Sequence, residues 1–379
     1  MQSQRKHILF LTSWYPDRIL KDNGDFIQRH AQTVALRNNV TVVHAIKDEK
    51  LKRNKFQVEV TEKRGVKEVV VYVKPSRFRP FNLIYLWQAY LHGLKYVSSF
   101  DIIHLNVVYP AGLIGIYLKN KFKKPLLLTE HWTGLHPKNF KQLSFYKKFL
   151  IQKILKSVDL VLPVSSHLGK SIQQIETSVK YQVIPNVVDL DRFSVTSSPK
   201  NKCIEFLHLS NLNDQHKNIT GMLNVAVRLV KEGYVFKFHI GGNGDLNLIK
   251  EFITNHQLQD FILPFSRLEH DEVKAKMNDS NCFVLFSRYE NQPCVQAEAL
   301  ACGVPVIATN VGGVGEFLPD GFGILIDSEN EEDLYQAMLE VINKKSFASP
   351  LEMHHYAKDN FSKEEIANQY HKVYQEILK

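Results

Sequence analysis

Short runs of β-branched and aliphatic residues alternate with longer helix-spaced stretches along almost the whole chain, and this alternation is the feature that most limits its fold. Strands buried on both faces read as continuous apolar runs, so the pattern specifies α/β architecture with parallel sheets covered by helices on each side. The expected strands are Ile8 to Leu11, Val40 to Ala45, Val69 to Val73, Ile102 to Leu105, Leu126 to Thr129, Leu160 to Val164 and Tyr181 to Ile184. The alternation breaks at Asn186 to Lys202, where Ser194-Val-Thr-Ser-Ser-Pro199 is polar and turn-rich. It restarts with Ile204 to Leu209, Phe236 to Ile240, Phe261 to Pro264, Cys282 to Phe286, Val304 to Ala308 and Gly323 to Ile326. A chain of 379 residues exceeds what one core usually supports. The economical reading is two doubly wound domains facing a cleft, residues 1–187 and 203–355, joined by a linker over 188–202. Residues 356–379 form a terminal helix, with Ile366, Tyr370, Val373, Tyr374 and Ile377 at helical spacing.

The net charge of +9 is unevenly spread. Up to residue 200, 32 Lys and Arg stand against 14 Asp and Glu; beyond it, 16 stand against 25. A basic first half suits nucleic acid, an anionic membrane or an anionic substrate, or is simply a solvated lysine-rich surface. Nucleic acid is excluded as a partner, because no helix-turn-helix, zinc-finger or RNA-binding signature is present and the acidic half would repel phosphate backbones. The four cysteines have neither zinc-site nor redox spacing, which fits a reducing cytoplasm. The apolar run His7 to Thr12 is too short for a signal peptide, and no stretch approaches the roughly 20 apolar residues of a membrane span. The expected location is cytoplasmic, with any membrane contact peripheral, on the inner face of the plasma membrane.

Ligands of such sheets sit at the carboxyl ends of the strands, where loops lead into helix N-termini. The segment Ser287-Arg-Tyr-Glu290-Asn-Gln-Pro-Cys-Val-Gln-Ala-Glu298 occupies such a place, with Glu290 on the loop and Glu298 about one turn into the helix. Two carboxylates accept hydrogen bonds from neighbouring hydroxyls, and the helix N-terminus favours phosphate. This stretch, continuing through Ala-Leu-Ala-Cys-Gly303-Val-Pro305 to Val311-Gly-Gly-Val-Gly-Glu316, resembles the Glu-x7-Glu signature of the family 4 glycosyltransferases.

That resemblance implies the GT-B fold of two facing Rossmann-like domains and a retaining transfer from a nucleotide-sugar donor. It gives Glu290 the donor sugar and Glu298 the ribose, with Asn291, Gln292, Pro293, Cys294 and Val295 shaping the phosphate pocket. The terminal helix resembles the one that crosses back to the first domain. Trp14-Tyr-Pro16 to Asn23-Gly24-Asp-Phe26 resembles the family's first glycine loop, which brings Gly24 to the donor phosphates. Gly241-Gly242-Asn-Gly244 resembles the glycine turn of the donor domain, and Ile184-Pro-Asn186 the approach to the linker. In the family an arginine and a lysine neutralise the leaving phosphate. Here Lys217 holds the lysine position, whereas Asn211 replaces the arginine. Candidates to supply the missing charge are His216, Arg267 and Arg288. His131, after the strand ending at Thr129, matches the histidine beside the acceptor and the anomeric carbon.

The catalytic set expected from the resemblance is therefore Lys217, Glu290 and His131, with no metal and no cofactor. Asp189-Leu-Asp191 mimics a metal-binding Asp-x-Asp pair but falls in the linker, away from a buried strand. On the acceptor side, Lys138 to Ile151 and Arg77 to Trp87 mix cations with aromatics. They suit an anionic inner-membrane surface, or pack as ordinary amphipathic helices on their own sheet. The function implied is transfer of a hexose or N-acetylhexosamine from a UDP-sugar to a glycan or lipid-linked acceptor in polysaccharide biosynthesis. The alternatives are a sugar-nucleotide epimerase of the same fold and a catalytically weakened sugar-nucleotide-binding protein. A nicotinamide oxidoreductase is excluded for want of Gly-x-Gly-x-x-Gly after the first strand of either domain.

Overall fold

The computed structural model describes residues 5–51, 55–78, 81–196 and 203–379. The chain divides into two compact units, Met1–Val187 with Lys363–Lys379, and Val188–Ser362. Among the described residues the first unit is built on seven strands: β1 (His7–Thr12), β2 (Asn39–Lys47), β3 (Phe56–Lys63), β4 (Val66–Val73), β5 (Ile102–Asn106), β6 (Leu126–Glu130) and β7 (Leu160–Pro163). Their order is β3-β4-β2-β1-β5-β6-β7. The pairs are parallel except at β3, which runs antiparallel to β4 at the edge.

Alternate residues of β1 feed two cores. Leu9 and Leu11 pack with the helices Phe81–Gly93, Gly112–Phe122 and Phe145–Ser157, while Ile8 and Phe10 pack with Asp25–Ala35 and Lys363–Ile377. Each fully buried aliphatic side chain contributes about 1.5–3 kcal/mol, which explains why these runs carry no polar interruption toward solvent.

The second unit, among the described residues, is a six-stranded sheet of β8 (Ile204–Ser210), β9 (Phe236–Gly242), β10 (Ile262–Phe265), β11 (Cys282–Leu285), β12 (Val306–Thr309) and β13 (Gly323–Ile326). The order β10-β9-β8-β11-β12-β13 is wholly parallel and reverses direction between β8 and β11. A reversal of this kind opens a crevice at the carboxyl ends of the two central strands.

Several elements differ from the sequence expectation. Tyr181 to Ile184 is not a strand: Tyr181 forms one isolated bridge to Val161. The edge strand β3 was not expected, because much of its Phe-Gln-Val-Glu-Val-Thr-Glu-Lys sequence faces solvent. Within the expected linker, Val188 and Phe193 are buried among residues of the second unit, and 197–202 lie outside the described residues. The terminal segment holds two helices. Pro350–Phe361, started by the Ser349/Glu352 capping box, stops at extended Ser362 and buries Phe361 in the second unit; Lys363–Ile377 then joins the first. Among the described residues, no helix is long and apolar enough to cross a membrane.

Candidate active site

In the second unit the loops after β8 and β11 converge at the strand-order reversal. Asn213 caps the four-residue helix Asp214–Lys217 by accepting from the His216 amide, and left-handed Asn218 (φ 53°) ends it before the helix Ile219–Lys231 begins. This turn carries Lys217 to the loop after β11, where its ammonium donates to Oε1 of Glu290. The two side chains are only 16% and 10% exposed. The structure thus brings together two expected site residues that are far apart in sequence.

Arg288 holds the turn in place. Its amide donates to the His216 carbonyl at 2.8 Å, and its guanidinium donates to the Asp214 carbonyl and Asn218 Oδ1, both at 2.6 Å, and to Glu329 at 2.7 Å. Arg267 pairs with Glu269 at the surface, and the His216 ring meets Tyr289 edge-on. The Asn211 side chain accepts from the Asn213 amide at 3.2 Å, an Asx turn that shapes the loop.

Two glycines set the spacing of these loops. At Gly312 (φ 58°) a Cβ would lie 1.7 Å from the Glu290 carbonyl oxygen, so the Val311-Gly312 turn packs directly on the Glu290 backbone. At Gly242 (φ 135°) a Cβ would lie 1.9 Å from the Ser210 carbonyl oxygen, which also accepts from the Asn243 amide at 3.0 Å. Only glycine tolerates such approaches. Glu298 is buried in the helix Cys294–Ala301, whose N-cap is Pro293; Asn291 and Gln292 are buried in the loop before it, and Cys294 and Val295 form its first turn.

His208 on β8 was not singled out by sequence, although a histidine inside an apolar strand is itself a signal. Its Nδ1 donates to the Val284 carbonyl at 2.8 Å, and its Nε2 accepts from the Ser210 hydroxyl at 2.8 Å. The Ser210 oxygen in turn accepts from the Leu212 amide at 3.0 Å. Burial lowers the His208 pKa to about 4, which keeps the imidazole neutral and this relay between β11 and the Asn211 loop intact.

In the first unit, His131 follows β6. Its ring lies 4.5 Å from Phe26 and 5.4 Å from His30, whose Nε2 donates to Asn186 Oδ1 at 3.3 Å. Gly24 (φ 74°) starts the helix Asp25–Ala35, and a Cβ there would meet the Trp14 backbone at 2.9 Å. The expected first glycine loop therefore delivers Phe26 to His131. Burial, and then the neighbouring His30 and His104, hold the His131 pKa well below its ordinary range, so this imidazole is neutral.

Behind it, His104 bonds Tyr374 at 2.6 Å and Thr129 at 2.7 Å, while Tyr370 bonds Thr129 at 3.2 Å and His30 at 3.0 Å. This buried network fastens the terminal helix to β5, β6 and the helix Asp25–Ala35. Beside His131, the Lys147 ammonium lies 4.6 Å from the Trp132 ring centre and 5.3 Å from that of Tyr109. Contact with ring faces stabilises a half-buried cation.

Two Rossmann-like parallel-sheet units, one with a lysine–glutamate pair at its strand-order reversal, define a glycosyltransferase of the GT-B class. Residues 28–192 match the family described as Glycosyltransferase Family 4, and residues 191–361 match that described as Glycosyl transferases group 1. The chain belongs to the family 4 glycosyltransferases. It is 29% identical over 329 residues to an uncharacterized glycosyltransferase of Methanocaldococcus jannaschii, covering 83% of this chain and 87% of that one. It is 26% identical over 262 residues to the alpha-monoglucosyldiacylglycerol synthase of Streptococcus pneumoniae, covering 64% of this chain and 59% of that one. The structure of Anabaena HepE in complex with UDP-glucose superimposes with a TM-score of 0.73 over 98% of this chain and 100% of that one, at 16% identity.

Proposed function

We propose that this glycosyltransferase moves a hexose or N-acetylhexosamine from a UDP-sugar to a glycan or lipid-linked acceptor, with retention of configuration and without a metal ion. The observation that carries this reading is the half-buried Lys217 ammonium held on Glu290 at the carboxyl edge of β8 and β11. Departure of the nucleoside diphosphate builds negative charge on its terminal phosphate, and a fixed cation lowers that barrier. Lys217 supplies the cation, together with the amides at the N-terminus of the helix Cys294–Ala301. Glu290 and Glu298 accept hydrogen bonds from sugar and ribose hydroxyls.

The acceptor oxygen attacks the anomeric carbon from the face the phosphate leaves. The sugar–phosphate bond breaks as the new glycosidic bond forms, and the acceptor proton passes to the departing phosphate oxygen. His131, held neutral, orients the acceptor by donating its ring N–H to the acceptor oxygen, which leaves the acceptor proton for the departing phosphate. UDP as the nucleotide is supported by HepE, whose structure holds UDP-glucose. Asn211 in place of the arginine favours modest leaving-group stabilisation and a slow turnover.

The acceptor side is supported by exposed aromatics among lysines. Phe145 is 86% exposed and stands with exposed Tyr146 and Phe149 beside Lys147 and Lys148, and exposed Phe78 and Phe81 follow Arg77. Tyr85 and Trp87, by contrast, pack on the sheet, and Arg79 lies outside the described residues. Aromatic and basic side chains exposed together suit an anionic inner-membrane surface, and the lipid-linked reading agrees with the lipid named in the Streptococcus relative. The test is thermal stabilisation by UDP, GDP, ADP and their sugar conjugates in EDTA, repeated on Glu298→Ala. Selective stabilisation by UDP that disappears in the variant is expected; a response that requires metal, or that survives in Glu298→Ala, overturns the reading. Flotation with anionic vesicles at low salt tests the membrane contact, and absence of binding removes it.

A further inference from the structure

The carboxylate of Glu130 ends β6 and is completely buried. Its Oε1 accepts from the amides of His131 and Trp132, both at 2.8 Å, and its Oε2 accepts from the Val108 amide at 2.8 Å. One side chain thus spans two loops. On the β6 side it fixes the backbone of His131, and of Trp132, whose ring carries the Lys147 ammonium. On the β5 side it clamps a turn in which Val107 is left-handed at φ 63°, a conformation a β-branched residue rarely adopts unless the surroundings impose it. Buried carboxylates are seldom retained for stability alone, because burial disfavours their charge.

We propose that Glu130 is the positioning residue of the acceptor side, its ionised carboxylate aiming His131 and Trp132 by holding their amides. This inference rests on the proposed role of His131. An ionised carboxylate offers acceptors to all three amides, whereas an amidated one turns an N–H donor toward at least one of them and a protonated one keeps weaker acceptors and adds a proton that must be placed among them. Burial raises the Glu130 pKa to about 7, against the opposing pull of the three amides. The neighbouring histidines keep clear of that range. Burial lowers His30 to about 4 and His104 to about 3, and His131 is also far below its ordinary value. Tyr370 and Tyr374 on the terminal helix are pushed up by burial; Lys147 is lowered by its own burial, and a limb that belonged to it would survive in Glu130→Gln. An activity limb near pH 7 would therefore belong to Glu130. Activity is expected above it and lost as the pH falls through it.

The experiment compares wild type, Glu130→Gln, Glu130→Asp and His131→Ala in transfer from UDP-sugar, with kcat, donor KM and the pH profile measured for each. Glu130→Gln is expected to lower kcat about tenfold to a hundredfold, the range of a small misplacement of a site group. Donor KM should stay unchanged, and the limb near neutral pH should vanish. Glu130→Asp, which is one methylene short of bridging both loops, should fall between. Wild-type kcat flat from pH 6 to 8, or a limb that survives in Glu130→Gln, overturns the proposal, and the first outcome is read without any variant. If His131→Ala keeps full activity, the assignment of His131 fails instead. Equal loss of UDP stabilisation and activity in Glu130→Gln would mark a purely architectural role and also overturn it.

Discussion

Removing the Lys217 ammonium should cost far more than removing its partner's charge. In Lys217→Met the Glu290 carboxylate, 10% exposed, loses its cation while the Glu290 backbone stays locked beneath the Val311-Gly312 turn. Breaking a buried pair on the side that cannot relax typically costs about 3–5 kcal/mol. For a unit of this size that is a fall in Tm of roughly 6–20 °C. In Glu290→Gln the ammonium left behind sits on a flexible stem at the end of a four-residue helix, from which it reaches water, so the cost is nearer about 1–2 kcal/mol. The double variant should recover about 2–3 kcal/mol relative to the sum of the singles. The assay is a double-mutant cycle by urea unfolding at neutral pH, monitored on the second unit. Additivity within about 0.5 kcal/mol, or a Glu290→Gln variant weaker than Lys217→Met, would refute the argument that Glu290 is the trapped partner.

Two other outcomes follow from the loops and the histidines. Gly312→Ala should destabilise by about 2–4 kcal/mol, because its Cβ meets the Glu290 carbonyl oxygen, and should abolish stabilisation by UDP in a thermal-shift assay; a variant with native Tm and native UDP response would refute the close packing. The protein should lose stability on acidification. His30, His104 and His208 are held neutral with folded pKa values of about 4, 3 and 4, all below the unfolded value near 6.5. In that window the unfolded chain binds more protons, so their contribution is present above pH 6.5 and lost as the pH falls toward 4. Glu130, with its folded pKa raised, works in the opposite sense between its unfolded value and about 7 but is a single group. Urea titrations at pH 7.5 and 5 should show the loss, and His104→Gln should flatten it; an unchanged midpoint would contradict the buried neutral network.

Nearly every strand could be placed from the sequence because burial on both faces leaves an unbroken apolar run, as in Ile102 to Leu105. The strand that escaped, β3, lies at an edge, where solvent-facing Glu59 and Lys63 dilute the pattern. Tyr181 to Ile184 looked like a strand by composition, and it does run beside β7 through three backbone hydrogen bonds, but they complete only one bridge, at Tyr181. The places of Glu290, on a loop, and Glu298, about one turn into a helix, were legible because a strand end and a helix start bracket them. What local reading could not supply was pairing at a distance. The ion pair of Lys217 with Glu290, the fixing of the Lys217 turn by Arg288, and the hold of Asn186 on His30 all depend on how loops fold over one another. Glu130 was hidden more deeply still, because its partners are backbone amides, which leave no trace in residue identity.

Tyr370 and Tyr374 complete hydrogen bonds for His30, His104 and Thr129, although the whole Val188–Ser362 unit is translated between them. At elongation rates of about 5–20 residues per second, Thr129 leaves the ribosome roughly 12–50 s before Tyr374 does. During that interval the first-synthesised unit carries an uncovered apolar sheet face and unsatisfied buried polar groups, while the later unit already has its complete sequence. The first unit, although begun first, therefore completes its hydrogen bonds only after the second unit has been synthesised.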